Sequence, residues 1–323
     1  MQVLVADIGG THTTLAIMQK TKTTPKLVYK KQWQSSQVKD ISIPIKQMLK
    51  QHKVTLACLA GAGPVLQNKI TISNTGLVID QKKVQKQTAL KITLINDFEA
   101  IGHALESLNK KQYKQITKNN LDFTKTIAVI GPGTGLGKCI RLPNRVILPS
   151  EGGYADVSIY AQEELALAEF IKEEAKYTTP LDADLAASGR AIPHIYNFYY
   201  THSQPNKKQK EIYGLPYEEK TKIIAELSQQ DALCNKTMEM LTRFCARSAR
   251  NFVLEVLATG GIVIAGGVAA KNPDWFTSKV FTSDFANHII YTQMLKNIPK
   301  IVVTDYAISL TGAANRAFKH VSH

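Results

Sequence analysis

One unusual arrangement occurs in each half of the chain: an apolar strand runs into a glycine turn and leaves it as a second strand. The first copy is DIGGTHTTLAI, Asp7 to Ile17, and the second lies within IAVIGPGTGLGKCIRL, Ile127 to Leu142. At 323 residues the chain exceeds what one hydrophobic core usually supports. Twin turns in such a chain predict two related lobes with a nucleotide held between them. Adjacent glycines allow positive φ and bring bare backbone amides close to an anion. In the first copy this turn comprises Ile8, Gly9, Gly10, Thr11, His12 and Thr13, with the two threonines adding hydroxyl donors. An isolated Gly-Gly hairpin is more often only a turn. Here a carboxylate, Asp7, stands directly before it, where it can orient hydrated magnesium beside phosphates. The second copy, GPGTGLG, is denser in glycine, and Gly133, Thr134 and Gly135 form its expected phosphate contact. It is neither the GxxxxGK[ST] of a Walker loop nor set in the strand-helix context of a dinucleotide fingerprint.

The order of elements supports an α/β chain. Strands are expected at Val3 to Ala6, Thr13 to Met18 and Lys26 to Trp33, a helix over Ile41 to His52, and strands at Val54 to Leu59 and Lys69 to Ile72. A helix from about Gln81 to Leu90 precedes a strand at Ile92 to Ile95, with a further helix from Phe98 to Leu108. Tyr160 to Leu257 reads as largely helical, interrupted by a polar loop between His202 and Gly214. Late strands fall at Gly260 to Gly267 and Ile301 to Thr304, followed by a terminal helix, Ser309 to His320.

Three further segments carry candidate chemistry. In LINDFEAIGHAL, Leu94 to Leu105, Asp97 sits between a buried strand and a helix. That position suits a helix N-cap, and it equally suits a general base taking a proton from a hydroxyl that attacks phosphorus. Asn96 beside it can both donate and accept. In PSEGGYADV, Glu151 precedes two glycines and can pair with vicinal hydroxyls, although an isolated surface glutamate more often forms an ordinary ion pair. In GGIVIAGGVA, the glycine pair Gly266 and Gly267 would let an adenine ring lie against bare backbone.

Composition excludes several classes. The net charge of +14 invites a nucleic-acid reading, but the lysines are dispersed among glutamines and read as solvated faces. No nucleic acid is expected as a partner. No run of roughly 18 to 20 apolar residues is present to span a membrane, and Gln2 to Ala6 is too short for a signal-peptide core, so a cytoplasmic protein is expected. Cys58, Cys139, Cys234 and Cys245 are scattered and read as buried thiols.

Taken in order, these strings resemble the bacterial glucokinases of the sugar-kinase, actin and Hsp70-ATPase superfamily, and the likeness spans nearly the whole chain. DIGGTHTTLA is similar to that family's first phosphate segment, LINDFEA to its catalytic segment, VIGPGTGLG to its second phosphate segment and IAGGVA to its adenosine segment. PSEGGYADV and LAASGRAIPHIY resemble the segments that surround the sugar. The resemblance implies a two-lobed, ribonuclease H-like (actin-like ATPase) sugar kinase fold with a central interdomain cleft. Residues 1–107 with 305–323 would form the smaller α/β domain, and 108–304 the larger α+β domain. It implies Asp97 as catalytic base and Asn74, Asn96, Glu151, Tyr154 and Asp184 at the sugar. It also implies ATP and Mg2+ as cofactors, no zinc, and a homodimer.

Three positions depart from the family pattern. SEGGY stands where GEGGH is usual, placing Tyr154 at a sugar-binding histidine position; Asp184 replaces a glutamate; His12 replaces an asparagine. These changes bear on which hexose is preferred more than on phosphoryl transfer. A kinase for mannose, glucosamine or an N-acyl hexosamine is therefore the closest rival. A sugar-responsive regulator of the ROK type is the rival from another class, although such regulators carry a helix-turn-helix ahead of the first phosphate motif, which here starts at Asp7.

Overall fold

The computed structural model describes residues 1–73 and 75–319; Asn74 and residues 320–323 lie outside the described residues. Contacts divide the chain into two units. The first holds Met1–Gln112, Cys139–Glu151 and the chain from Asp305 onward; the second holds Tyr113–Lys138 and Gly152–Thr304. Residues 108–112 and 139–151, which the sequence reading grouped with the larger domain, thus fall in the first unit.

The first unit is built on strands β1 (Gln2–Ile8), β2 (His12–Gln19), β3 (Lys26–Gln34) and β4 (Leu56–Gly61), the short β5 (Val65–Leu66), β6 (Lys69–Thr71) and β7 (Val78–Asp80), and β8 (Lys91–Asn96), with helices α1 (Ser42–Leu49), α2 (Gln81–Thr88) and α3 (Asp97–Ala104). Its main sheet has the order β3-β2-β1-β4-β8. The first three strands are antiparallel, whereas β1, β4 and β8 are parallel. The unbroken apolar run of β1 follows from burial on both faces, since successive side chains enter opposite cores. Leu4, Ala6 and Ile8 join Ile41, Ile45, Met48 and Val84 in one core. Val3 and Val5 join Ala100, Leu310, Ala313 and Phe318 in the other. The register aligns Ile8 with Gly61 and Gly61 with Asn96, so three parallel strands end together. That edge is where open α/β sheets place their reactive groups. The outer strand β3 is exposed along nearly its whole length and carries Lys26, Lys30 and Lys31, charges that discourage edge-to-edge pairing.

The second unit contributes β9 (Tyr113–Gln115) and β10 (Ile127–Pro132); β11 (Leu136–Arg141) carries the chain back to the first unit, which also holds β12 (Ile147–Ser150). The second unit then continues through α4 (Gln162–Ala175), α5 (Ala183–Ala186), α6 (Ala191–Thr201), α7 (Lys207–Tyr213), α8 (Tyr217–Leu227) and the long α9 (Ala232–Glu255) to β13 (Gly261–Ile264). The helices α10 (Gly267–Lys271), α11 (Pro273–Thr277), α12 (Lys279–Ala286) and α13 (Thr292–Asn297) precede β14 (Lys300–Val303). Strands β10, β13 and β14 are parallel neighbours, with β9 antiparallel at the edge. The C-terminal helix α14 (Ile308–Lys319) returns to the first unit and packs on α3.

Two local expectations are corrected. The polar stretch between His202 and Gly214 is not all loop: Asn206 and Gln209 cap each other's backbone N–H groups to start α7, Ile212 is buried, and Tyr213 stacks on Tyr200. The lysine-rich run after Leu108 contains strand β9 because its backbone pairs with β14. All four cysteines are buried and unbridged, as expected.

Candidate active site

In the first unit the glycine turn between β1 and β2 is held from behind. Gly9 N–H donates to His12 O at 3.0 Å, Ser35 N–H to Thr11 O at 2.9 Å, and Ser35 Oγ to Gly9 O at 2.7 Å. The Thr13 hydroxyl is fully buried and bonds Ser35 Oγ at 2.9 Å. Thr13 is therefore a brace, while Thr11 and His12 are the exposed side chains of the turn. Neither Gly9 nor Gly10 adopts positive φ, nor do Gly133 and Gly135.

Two carboxylates occupy the aligned strand ends. Asp7 Oδ2 accepts from Ser309 Oγ at 2.5 Å; burial raises its pKa, and the serine bond offsets part of that rise. The N-cap of α3 is Asn96, not Asp97. Asn96 Oδ1 accepts from Phe98 N–H at 2.8 Å and Glu99 N–H at 3.2 Å, and its Nδ2 donates to Gly63 O at 3.2 Å. At 5% exposure, with its amide so engaged, Asn96 positions its neighbour. Asp97 becomes the first helical residue, half-buried, with Oδ1 accepting from Phe98 N–H at 2.9 Å. Burial pushes its pKa up to about 7, the charge of Asp7 adds to the rise, and that of Glu151 adds further. These effects prevail over the helix N-terminus, which favours the ionised form. Glu151 itself is exposed.

A magnesium ion fits this donor set. Hard carboxylate oxygens suit it, and two like charges in one site are relieved by a cation. Among the described residues no group of three His, Cys, Asp or Glu could enclose a metal, an arrangement compatible with Mg2+ that keeps its waters and takes phosphate oxygens.

In the second unit the turn after β10 is gripped by the segment around α5. Gly189 N–H donates to Gly133 O at 2.8 Å, Ser188 Oγ to Thr134 O at 3.1 Å, and Leu136 N–H to Asp184 Oδ1 at 2.6 Å. Asp184 also pairs with Arg190, and burial raises its pKa while that guanidinium opposes the rise. A Cβ on Gly135 would lie 2.4 Å from Asp184 Oδ1. Gly266, at φ +89°, has no room for a side chain beside Pro132 O, and the Gly133 Cβ position is 3.8 Å from Gly267 N. The second turn and the Gly266–Gly267 pair are therefore neighbours. Tyr154 lies in a short turn of this unit and is 50% exposed. Asn74 lies outside the described residues.

Ser35, Ser188, Gly189 and Ser309 were not singled out in the sequence. Ser188 and Gly189 lie in the quoted LAASGR string, so a signal existed for them; the two partners of the first turn are remote in sequence and gave none.

Asp184 can be tested directly. Asp184→Ala is expected to raise the KM for ATP about tenfold, because a buried N–H and a guanidinium lose their acceptor at the second turn, a loss of about 1–3 kcal/mol. Steady-state kinetics with each substrate varied separately would reveal a sugar contact instead, if the sugar KM rose and that for ATP held.

The chain has the actin-like ATPase fold on which sugar kinases are built, and comparison with known proteins identifies that class. Solved structures agree on the fold: glucokinase from an Antarctic psychrotroph has a TM-score of 0.79 at 23% identity, covering 98% of this chain and 99% of that one. Glucokinase from Balamuthia mandrillaris in complex with glucose has a TM-score of 0.83 at 19% identity, covering 98% and 93%. The sequence model described as Glucokinase matches residues 4–320, and glucokinase of Synechocystis sp. is 27% identical with 96% of each chain covered. The chain belongs to the glucokinase family.

Proposed function

We propose that this protein is an ATP-dependent hexose kinase that transfers the γ-phosphoryl group to the 6-hydroxyl of glucose. The observation that carries the reading is Asp97, a half-buried carboxylate with a pKa near 7 at the end of β8, fixed by the Asn96 cap and sharing its strand edge with Asp7. A base poised near the operating pH is what proton transfer from a sugar hydroxyl needs. Asp97 takes that proton as the oxygen attacks phosphorus in line and the bond to the leaving ADP breaks.

The first turn, Gly9 to His12, and the second, Gly133 to Gly135, bind phosphate oxygens; Gly266 and Gly267 take the adenosine. Asp7 would hold Mg2+ through water, and the chemistry the ion would supply when bound is neutralisation of phosphate charge. Glu151 and Tyr154 orient the sugar, with Asn96 acting mainly through Asp97. Asn74 is assigned to the sugar by resemblance alone. The glucokinase from Streptomyces griseus crystallised with glucose and AMPPNP shares this fold, with a TM-score of 0.73, and supports sugar and nucleotide as the substrate pair. A cytoplasmic homodimer is the assembly we infer from the family. Tyr154, where the family has histidine, favours one second reading: a preference for another hexose.

ADP release with a panel of glucose, mannose, glucosamine and N-acetylhexosamines tests both. Glucose is expected to give the highest kcat/KM by at least about tenfold, in the range that a few hydrogen bonds discriminate. A panel in which no sugar stimulates ADP release would overturn the kinase reading.

A further inference from the structure

The kinase reading leaves one cavity of the first unit without a task. It measures about 480 Å3, within the usual range for small ligands. Lys20 and Lys22 from the turn after β2, Arg141 and Arg145 from the β11–β12 segment, and Lys319 from α14 line it, against one lining carboxylate, Glu106. That carboxylate is shared: Glu106 Oε1 lies 2.5 Å from Arg141 Nη2 and 3.3 Å from Arg145 Nε. The Arg141 side chain is only 3% exposed, so its charge is held in the wall. The Lys319 pKa is lowered first by burial; Glu106 opposes this, and Arg145, Arg316 and Arg141 reinforce it.

A second feature of the same wall points to a ligand. His103 lines the cavity with its side chain 8% exposed; its Nε2 faces Glu99 Oε1 at 3.5 Å, and its Nδ1 is buried without a hydrogen-bond partner. Buried polar atoms are rarely left so. Asn315 Nδ2 donates to His103 O at 2.9 Å and to Ser107 Oγ at 2.8 Å, binding α14 to the end of α3. The cationic face is concave, with Arg141 buried in its wall and Arg145 exposed at its rim.

We propose that this cavity binds a small, multiply charged phosphate compound, whose oxygens pair with Arg141, Arg145 and Lys319. Its place in the first unit separates it from Asp97 and Asp7. Asp97 and His103 are six positions apart on α3, about 9 Å at 1.5 Å per residue, and Ser309 and Lys319 are ten apart on α14, about 15 Å. The ligand would therefore grip the far ends of the two helices whose near ends hold Asp97 and, through Ser309, Asp7.

Isothermal titration calorimetry at 0.15 M salt with inorganic pyrophosphate, inorganic phosphate and a hexose 6-phosphate as separate probes tests the proposal and identifies the source. The triple variant Lys22→Ala, Arg145→Ala, Lys319→Ala removes charges without touching either glycine turn. At least one probe is expected to bind the wild type and to lose at least tenfold in affinity in the triple variant, with ADP affinity unchanged within twofold. Glu106→Gln, which removes the competing carboxylate, is expected to tighten that probe severalfold. No binding by any probe, equal affinity in the triple variant, or a parallel loss for ADP would each overturn the proposal.

Discussion

Asp97→Asn is expected to lower kcat by at least about 10²-fold, with little change in either KM, because it removes the proton acceptor and leaves the geometry in place. Asparagine retains an oxygen for the Phe98 N–H bond, and the Asn96 cap does not involve the altered side chain. In the wild type, kcat should fall about tenfold per pH unit below about 7, where Asp97 becomes protonated. That limb should vanish in the variant. Stability should move the other way. A carboxyl whose folded pKa is raised costs nothing below its unfolded value near 4, where both states are protonated, and the cost grows as pH rises to about 7, then levels off. Asp97→Asn should therefore have the higher Tm at pH 8, with the gain shrinking towards pH 4. Steady-state kinetics and thermal melts across pH 4 to 8.5 read both effects, and a folded variant within fivefold of wild-type kcat would remove Asp97 from the mechanism.

The two effects share one cause. The Asp97 pKa is raised by burial and by Asp7 and Glu151; Asp7 is beside it because β1, β4 and β8 end in register, and Glu151 follows β12 in the same unit. Site and sheet are thus one construction: the parallel pairing that fills the two cores also assembles the charges that make a carboxylate basic.

Much of this was legible in the chain itself. Strand β1 reads as a strand buried on both sides because it is apolar without alternation, and the glycine turns are visible by density alone. Asp97 could be located at a strand-to-helix junction, but not its role there, because asparagine and aspartate cap helices equally well. Only geometry shows that Asn96 takes the cap and that Asp97 is the first helical residue. Long-range partners are illegible for a simpler reason: Ser309 meets Asp7 across 302 positions and Ser35 meets Gly9 across 26, and no local pattern encodes either. Asp184 was placed at the sugar by resemblance, and its bond to Leu136 N–H, which ties it to the second glycine turn, could not be read from the sequence. The glycines of the turns were noticed for φ and for bare backbone; the close approaches at Gly135 and, on α14, at Gly312 show lack of bulk at work.

Gly312→Ala puts that last point to the test, and two effects of opposite sign compete in it. Alanine is the better helix former by about 1 kcal/mol, so propensity alone predicts a more stable protein. Against this, a Cβ on Gly312 would lie 1.6 Å from Ala100 O, 2.6 Å from Ala100 C and 3.1 Å from Ala104 N, all backbone atoms of α3 that no rotamer change can move. The two helices would have to part by roughly 1.5–2 Å, which a close-packed interior does not absorb without losing contacts. Leu310, Ala313 and Phe318 would withdraw from Val3, Val5 and Met18, and Ser309 from Asp7. Overpacking on this scale should outweigh propensity and leave a net loss of about 3 kcal/mol. With an unfolding entropy of about 2.1 cal/mol/K per residue, each kcal/mol is worth about 1.5 °C for a chain of this size, so Tm should drop by about 4–5 °C. Thermal denaturation of Gly312→Ala beside wild type decides between the terms. A Tm equal to or above wild type would mean that α3 and α14 are not in the close contact on which both the Asp7–Ser309 bond and the second cavity depend.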